Sequence, residues 1–419
     1  MPTASNRALS PVHLLSLAIA TALLAPAAQA AFIDDSSANL KTTNIYLNRD
    51  YREGTGQNKR EEWGQSFWLN VQSGYTEGPV GLGLDAQGLL GIKLDSSADR
   101  TRTGLLPRHD DGKAPDAFGR LGLTAKVKVS ATELRYGSHS PVLPVVVAND
   151  SRLLPQVFEG GLLTSSEVKG LTFTGGRLGK AIDRASTDAE DLQLESKNGR
   201  YAGVTADHLD LLGFDYEFNQ NLKGRYFHGE LEDVYRQNFF NVLASYPLAG
   251  GTMAADLRLM LSDESGAAKA GEVDNRALNG VLSYAHSGHK LSLGYQDMSG
   301  DTGYAYIAGS DPYLVNDSAN DYANPEEKSW SVRYDYDFAA LGVPGLTAYA
   351  RYIKGSDARI IGSNERGDEK ETNLEVKYVV QSGPVKNLFV RLRNANFRSD
   401  FARDSDEYRV VIGYTLPIF

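Results

Sequence analysis

Residues 407–419 read Glu-Tyr-Arg-Val-Val-Ile-Gly-Tyr-Thr-Leu-Pro-Ile-Phe, one amphipathic strand ending on an aromatic residue. Tyr408, Val410, Ile412, Tyr414 and Leu416 share one face at period two, and Arg409, Gly413 and Thr415 share the other. One side therefore suits hydrocarbon and the other water, the pattern of a strand that closes a membrane barrel. Phe419 falls off the even parity because Pro417 cannot join a ladder and shifts the last residues.

The same rule repeats upstream. Leu388, Val390 and Leu392 oppose Arg391 and Arg393; Leu374, Val376, Tyr378 and Val380 oppose Asn373, Glu375 and Lys377. Leu346, Ala348, Ala350 and Tyr352 oppose Thr347, Tyr349 and Arg351, and Trp330, Val332, Tyr334, Tyr336 and Phe338 oppose Ser331, Arg333, Asp335 and Asp337. Further strands follow at Leu291–Tyr295, Leu257–Leu261 and Leu123–Val129. Short reversals such as Val129 to Thr132 alternate with long connections rich in Asp, Gly and Pro, Arg100 to Phe118 and Gly300 to Lys328, as expected of periplasmic turns and external loops. The first strand, around Asn39 to Asn48, gives no clean period.

One connection is too apolar for water and too proline-broken for a strand or helix: His139 to Phe158. The space available to it is the lumen. It reads as a constriction loop with Arg152 near the narrow point; the plainer alternative packs it under a neighbouring loop.

Residues 1–30 carry one charge, Arg7, an apolar run from Leu14 to Leu24, and Ala28-Gln29-Ala30, which together read as an export signal cleaved before Ala31. The apolar run is too short for a spanning helix. Residues 31–419 then form a single transmembrane β-barrel domain. Shared among 18 strands, the 389 residues left from 419 allow about 22 per strand, although sixteen strands also fit. The net charge of -10 argues against nucleic acid as partner, and the absence of cysteine excludes disulfides and thiolate metal sites. A mean hydropathy of -0.35 suits strands exposing alternate residues to lipid, and 22 Tyr with 42 Gly suit aromatic girdles and tight turns.

By parity Arg333, Arg351, Lys377, Arg391, Arg393 and Arg409 face the interior of the last five strands, a basic wall along which an anion could step. Guanidinium stays charged and offers a planar fork to carboxylate. The competing reading makes each arginine a brace for inward acids such as Glu375, Asp335 and Asp337. His286-x-x-His289 borders a Ser-Gly turn without a carboxylate or thiolate beside it and reads as a surface hairpin, and Asp183 to Asp191 reads as a solvated loop. No catalytic or metal set stands out, and no cofactor is implied.

From Phe32 to Phe419 the chain resembles the OprD family of substrate-specific outer-membrane porins. The resemblance is carried by Phe32-Ile33-Asp34-Asp35-Ser36-Ser37, Arg60-Glu61-Glu62-Trp63, Thr132-Glu133-Leu134-Arg135-Tyr136-Gly137, Asp150-Ser151-Arg152-Leu153-Leu154-Pro155, Asp311-Pro312-Tyr313-Leu314-Val315 and Tyr414-Thr415-Leu416-Pro417, among other blocks. It implies an all-β, 18-stranded antiparallel barrel in a Gram-negative outer membrane, a monomeric pore narrowed by inward-folded loops, and a basic ladder for carboxylate nutrients. Arg391, Arg393 and Arg409 match ladder positions, Arg152 sits in the constriction-loop block, and Asp311 belongs to a second loop on the opposite, electronegative side. Loop departures at Asp99 to Asp116 and after Val315 leave the branch open; the benzoate- and vanillate-channel branch is favoured over the basic-amino-acid branch. Expected partners are small carboxylates, outer-membrane lipid with lipopolysaccharide, and the barrel-assembly machinery through the last strand. A barrel enzyme and a plugged adhesin are the readings from other classes.

Overall fold

The computed structural model describes residues 32–419, so the export segment read at residues 1–30 lies outside the described residues. Eighteen long strands form one sheet. The first seven are β1 (Ser37–Tyr51), β2 (Lys59–Gln72), β3 (Gly81–Asp95), β4 (Ala117–Val129), β5 (Thr132–His139), β6 (Val157–Val168) and β7 (Leu171–Ile182). There follow β8 (Leu209–Asn219), β9 (Leu222–Leu231), β10 (Tyr235–Leu248), β11 (Gly251–Glu264), β12 (Asp274–His286) and β13 (His289–Ser299). The last five are β14 (Lys328–Asp337), β15 (Leu346–Arg359), β16 (Arg366–Val379), β17 (Phe389–Ser399) and β18 (Ser405–Pro417). Each pairs antiparallel with its chain neighbours, and β18 returns to β1 in a register that sets Tyr46 opposite Val410 and Leu40 opposite Leu416. The sheet is a closed barrel without edges.

Turns and loops segregate to opposite ends. Two-residue turns at 130–131, 169–170, 220–221, 249–250 and 287–288 mark one end, and the long connections 96–116, 140–156, 183–208 and 300–327 the other. Positive φ at both Ala249 and Gly250, and at both Ser287 and Gly288, gives the primed geometry whose twist matches the flanking strands. His286 and His289 flank that second turn as an exposed hairpin pair, as their Ser-Gly setting suggests.

The alternation read from the sequence is the alternation of the barrel wall. Leu374, Val376, Leu392, Tyr408 and Ile412 are exposed on the outer surface, and Leu392 points out between Arg391 and Arg393, which point in. No described helix is long and apolar enough to cross a membrane, so any crossing falls to the strands. β1 breaks the rule for a visible reason. Ile45 and Leu47 face inward and are buried against Leu153 and Leu154 of the loop 140–156, together with Leu89, Leu105 and Phe118. The polar Asn44 faces outward beside Ile412 and accepts a hydrogen bond from the Trp63 indole (2.8 Å).

The interior is unevenly filled. The loop 140–156 folds into the lumen, as its apolar composition requires, but it is one of four: Leu105 and Leu106 from 96–116, Leu192 and Leu194 from 183–208, and Tyr304, Ile307 and Tyr322 from 300–327 are also buried. Two connections expected to be polar and external, Arg100 to Phe118 and Gly300 to Lys328, thus carry apolar residues that dock inside. Glu62, buried on β2, holds the first by accepting from the Thr103 backbone (3.1 Å) and the Ser96 hydroxyl (3.0 Å). The second large apolar cluster packs loops 140–156, 183–208 and 300–327 against Phe227, Phe239, Met260, Ala277 and Met298 of β9 to β13. The open passage is left along β14 to β18 and β1.

Candidate functional site

That passage contains a cavity of about 430 Å³, within the roughly 300–1,000 Å³ of small-ligand sites. Six of the eight residues singled out from the sequence line it: Arg152, Asp311, Arg333, Arg351, Arg393 and Arg409. Lys377 and Arg391 do not. They face the lumen one pair nearer the turn end, Lys377 opposite Arg391, and both lie over the Phe389 ring at 5.0 and 5.5 Å.

The wall is built by direct cross-strand pairing. Arg393 of β17 stands opposite Arg409 of β18, and Arg333 of β14 opposite Arg351 of β15. Like charges so placed repel, and acids relieve them in part. Arg333 chelates Asp335 (2.6 Å) and stacks on Tyr349, 3.8 Å from its ring. Arg391 and Arg393 share Glu375 at 3.7 and 3.2 Å. Glu407 sits between Arg409 and Arg49, so the first and last strands are tied by charge across the closure. The bracing role is therefore real for these residues, yet cations remain in excess: the cavity is lined by eight cationic and five acidic side chains.

Arg351 is a clamp. It donates to the Val315 carbonyl (2.7 Å), the Asn316 side chain (3.1 Å) and the Asp317 carbonyl (3.3 Å), and so fixes the loop 300–327 against the wall. Arg152 donates to the Thr103 carbonyl (3.0 Å) and to Ser151, and meets no carboxylate within ion-pair distance among the described residues. Burial and the nearby Arg409 push its guanidinium well below its ordinary value, a direction that an anion seated beside it would oppose.

The facing side comes from the loop 300–327. Asp311 receives the Asn149 amide of the constriction loop, and its own backbone nitrogen donates to the Val147 carbonyl (3.0 Å). Burial, reinforced by Asp150, raises the Asp311 carboxyl. Burial together with Asp311 and Asp321 raises Asp317 well above the usual carboxylate range. Asp321, though buried, is held down by Arg200 (2.6 Å) and Lys197 (3.3 Å). Sequence reasoning missed Arg49, Arg184, Lys197, Glu407 and Tyr349 as lining groups. Glu407 was within reach, since the parity that turns Arg409 inward turns Glu407 inward as well. Arg184 belongs to the run 183–191 read as a solvated loop.

A closed 18-stranded barrel with lipid-compatible outer residues and a loop-narrowed, charged bore is a channel of the outer-membrane porin type. The family model described as outer membrane porin, OprD family, matches residues 30–418, and the chain belongs to that family. It is a substrate-specific channel of the Gram-negative outer membrane and not an enzyme. Among relatives, it is 39% identical over 409 residues to the porin-like protein GalP of Pseudomonas putida, covering 96% of this chain and 97% of that one. The crystal structure of Pseudomonas aeruginosa OccK9 (OpdG) superposes with a TM-score of 0.90 at 46% identity, covering 93% of this chain and 100% of that one. That of Pseudomonas aeruginosa OpdK with vanillate gives 0.87 at 41% identity, covering 92% and 100%.

Proposed function

We propose that the channel admits small carboxylate-bearing nutrients by passive diffusion, aromatic acids of the benzoate type among them, and that Arg152, Arg333, Arg393 and Arg409 form the anion's path past the constriction. The observation that carries this reading is the excess of cations around the cavity, with Arg152 lacking a carboxylate partner among the described residues. Arg351 contributes charge while holding the loop opposite, and Lys377 with Arg391 extends the path toward the turn end. Asp311 faces the path from the other side and orients rather than attracts. The similarity to a channel crystallised with vanillate supports an aromatic acid as the solute class. Multiple moderate sites, rather than one tight one, let the solute leave. Single barrels suffice for this activity, and the outward apolar face of β18 is the surface offered to the assembly machinery.

Liposomes carrying the purified protein test the reading. Benzoate is expected to enter several times faster than arabinose, a neutral solute of similar mass that does not cross lipid readily unaided, and faster than lysine, each relative to protein-free liposomes. Equal entry of the neutral solute would overturn the carboxylate assignment and leave the channel itself standing.

A further inference from the structure

Beyond the Arg351 clamp, the loop 300–327 is fastened to the wall by acids. Glu369 and Glu371 of β16 share the inward parity of Asn373, Glu327 ends the loop, and the three are 2%, 0% and 0% exposed in that order. Glu371 accepts from the backbone nitrogens of Ala319 (3.1 Å) and Asn320 (3.2 Å) and from the Asn373 amide (2.5 Å), so both its oxygens are satisfied as a carboxylate. Its two companions are each satisfied on one side only. One oxygen of Glu369 accepts from the Asn320 amide, and one of Glu327 from the Asn324 backbone (3.1 Å) and amide (2.7 Å). The other oxygens, Oε2 of Glu369 and Oε1 of Glu327, are buried without a hydrogen-bond partner. The two carboxyl groups lie within hydrogen-bonding reach of each other. Gly355 of β15, the register partner of Glu369, makes room for them: a methyl there would come within 2.3 Å of Glu327 Oε1 and 3.2 Å of Glu369 Cγ.

No cation answers the pair. Lys197 and Arg200 of the loop 183–208 are drawn to Asp321 (3.3 and 2.6 Å), and Arg351 of β15 is engaged by the backbone around Asn316. Tyr322, packed on Gly355 from the loop side, brings only a hydroxyl. Among the described residues no cationic group lies within ion-pair distance of Glu327, Glu369 or Glu371.

Two charged carboxylates side by side in a dry site, without a counter-charge, are strongly unfavourable. One proton removes one of the charges and gives each orphaned oxygen its partner, donor on one side and acceptor on the other. A hard divalent cation would need about six to eight oxygens. The unpartnered oxygens nearby add only the Tyr322 hydroxyl and Asp321 Oδ1, and no group of three acidic or histidine side chains among the described residues is arranged to hold a metal.

We propose that Glu327 and Glu369 share one proton, and that this pair is a latch positioning the loop 300–327, and with it the Asp311 and Asp317 side of the bore, so that the constriction loosens when the proton leaves. The loop residues held against the acids reach the bore directly: Ala319, whose nitrogen Glu371 holds, lines the cavity with Asp317 and Ser318. Burial, reinforced by Asp321, raises the Glu327 carboxyl above its ordinary range. A group raised in the folded state holds below that value and lets go as pH rises through it, the reverse of a carboxylate paired with a cation. The latch acts on the width of the passage and is independent of which solute permeates.

Single-channel recordings of the full protein in planar bilayers, stepped from about pH 5 to about pH 9, test this. Fluctuations between open current levels are expected to become more frequent as pH rises, by up to about tenfold per pH unit, the limit for loss of one proton. Glu369→Gln keeps an amide donor against Glu327 at every pH and is expected to stay quiet throughout. Asp317→Asn removes the other raised acid beside the bore and is expected to keep the wild-type profile. A wild-type channel equally quiet at both ends of the range would overturn the proposal, as would a profile that survives in Glu369→Gln or vanishes in Asp317→Asn. Suppression of the alkaline fluctuations by calcium, and their return with a chelator, would reassign the pair to a metal ion. The wild-type profile is decisive even where a variant does not fold, which heat-modified gel migration reports.

Discussion

Removing Arg391 and Arg393 together is the sharpest test of the basic wall, because the two share one acid. With Glu375 between them at 3.7 and 3.2 Å, the trio carries one net positive charge; Arg391→Ala with Arg393→Ala leaves Glu375 alone and reverses the sign. A monovalent anion passing at about 7 Å in water feels roughly 0.6 kcal/mol per unit charge, hence about 1.2 kcal/mol for a change of two. At 0.1 M salt, where the screening length is about 10 Å, some half of this survives, or about threefold in anion passage. At 1 M almost none survives. Reversal potentials in planar bilayers under a salt gradient, with benzoate as the current carrier, read this directly. Anion preference should fall about threefold at 0.1 M and stay nearly unchanged at 1 M, and adding Glu375→Gln should restore about half the loss. A preference indifferent to the double change at low salt would refute the wall as an anion guide, and a loss equally large at 1 M would point to altered pore shape.

Replacing Arg152 by alanine frees the loop 140–156 from the Thr103 carbonyl and should raise single-channel conductance in bilayer recordings; an unaltered value would mean the loop narrows nothing. Because Asp317 is raised well above the usual range, it is neutral at pH values where an ordinary aspartate is charged, and it gains its charge only as pH rises through the raised value. Anion preference should therefore decline over that rise, and Asp317→Asn should flatten the decline; a decline that persists in the variant would assign it to another group. Leu392→Arg places a cation on the lipid face and should cost about 2–4 kcal/mol in denaturant titrations of barrels folded in vesicles, whereas a negligible cost would contradict the outward parity. A methyl added at Gly64 would come within 2.3 Å of the Leu153 side chain, so Gly64→Ala should shift the constriction loop and change conductance with a stability loss of about 1–3 kcal/mol, both measurable on one preparation.

The outer surface was legible because lipid enforces one rule on the last five strands, and period two records it from Trp330 to Leu416. The inner surface obeys no such rule. Ile45 and Leu47 look like lipid-facing residues, yet they meet the apolar constriction loop inside, which is why the first strand gave no period. The same compensation hid the buried side of the connections 96–116 and 300–327, whose Leu105, Leu106, Tyr304 and Tyr322 are diluted among polar neighbours. Inward cations could be named from parity, but parity fixes a side and not a depth. Lys377 and Arg391 were on the right face, one pair away from the cavity that Arg393 and Arg409 line. Arg184 and Lys197 come from a connection whose course depends on the loops it packs against, and no local pattern in it points to the bore.

The ionic tie of Arg49 and Arg409 through Glu407 joins residues from opposite ends of the chain across the seam where β1 meets β18. The proposed basic wall is consequently complete only where β1 and β18 have paired. A chain whose first and final hairpins have not yet met owns most of its pairing and most of its lipid contact but only half a filter. A substitution at this zipper therefore touches barrel closure and the proposed anion path at one point.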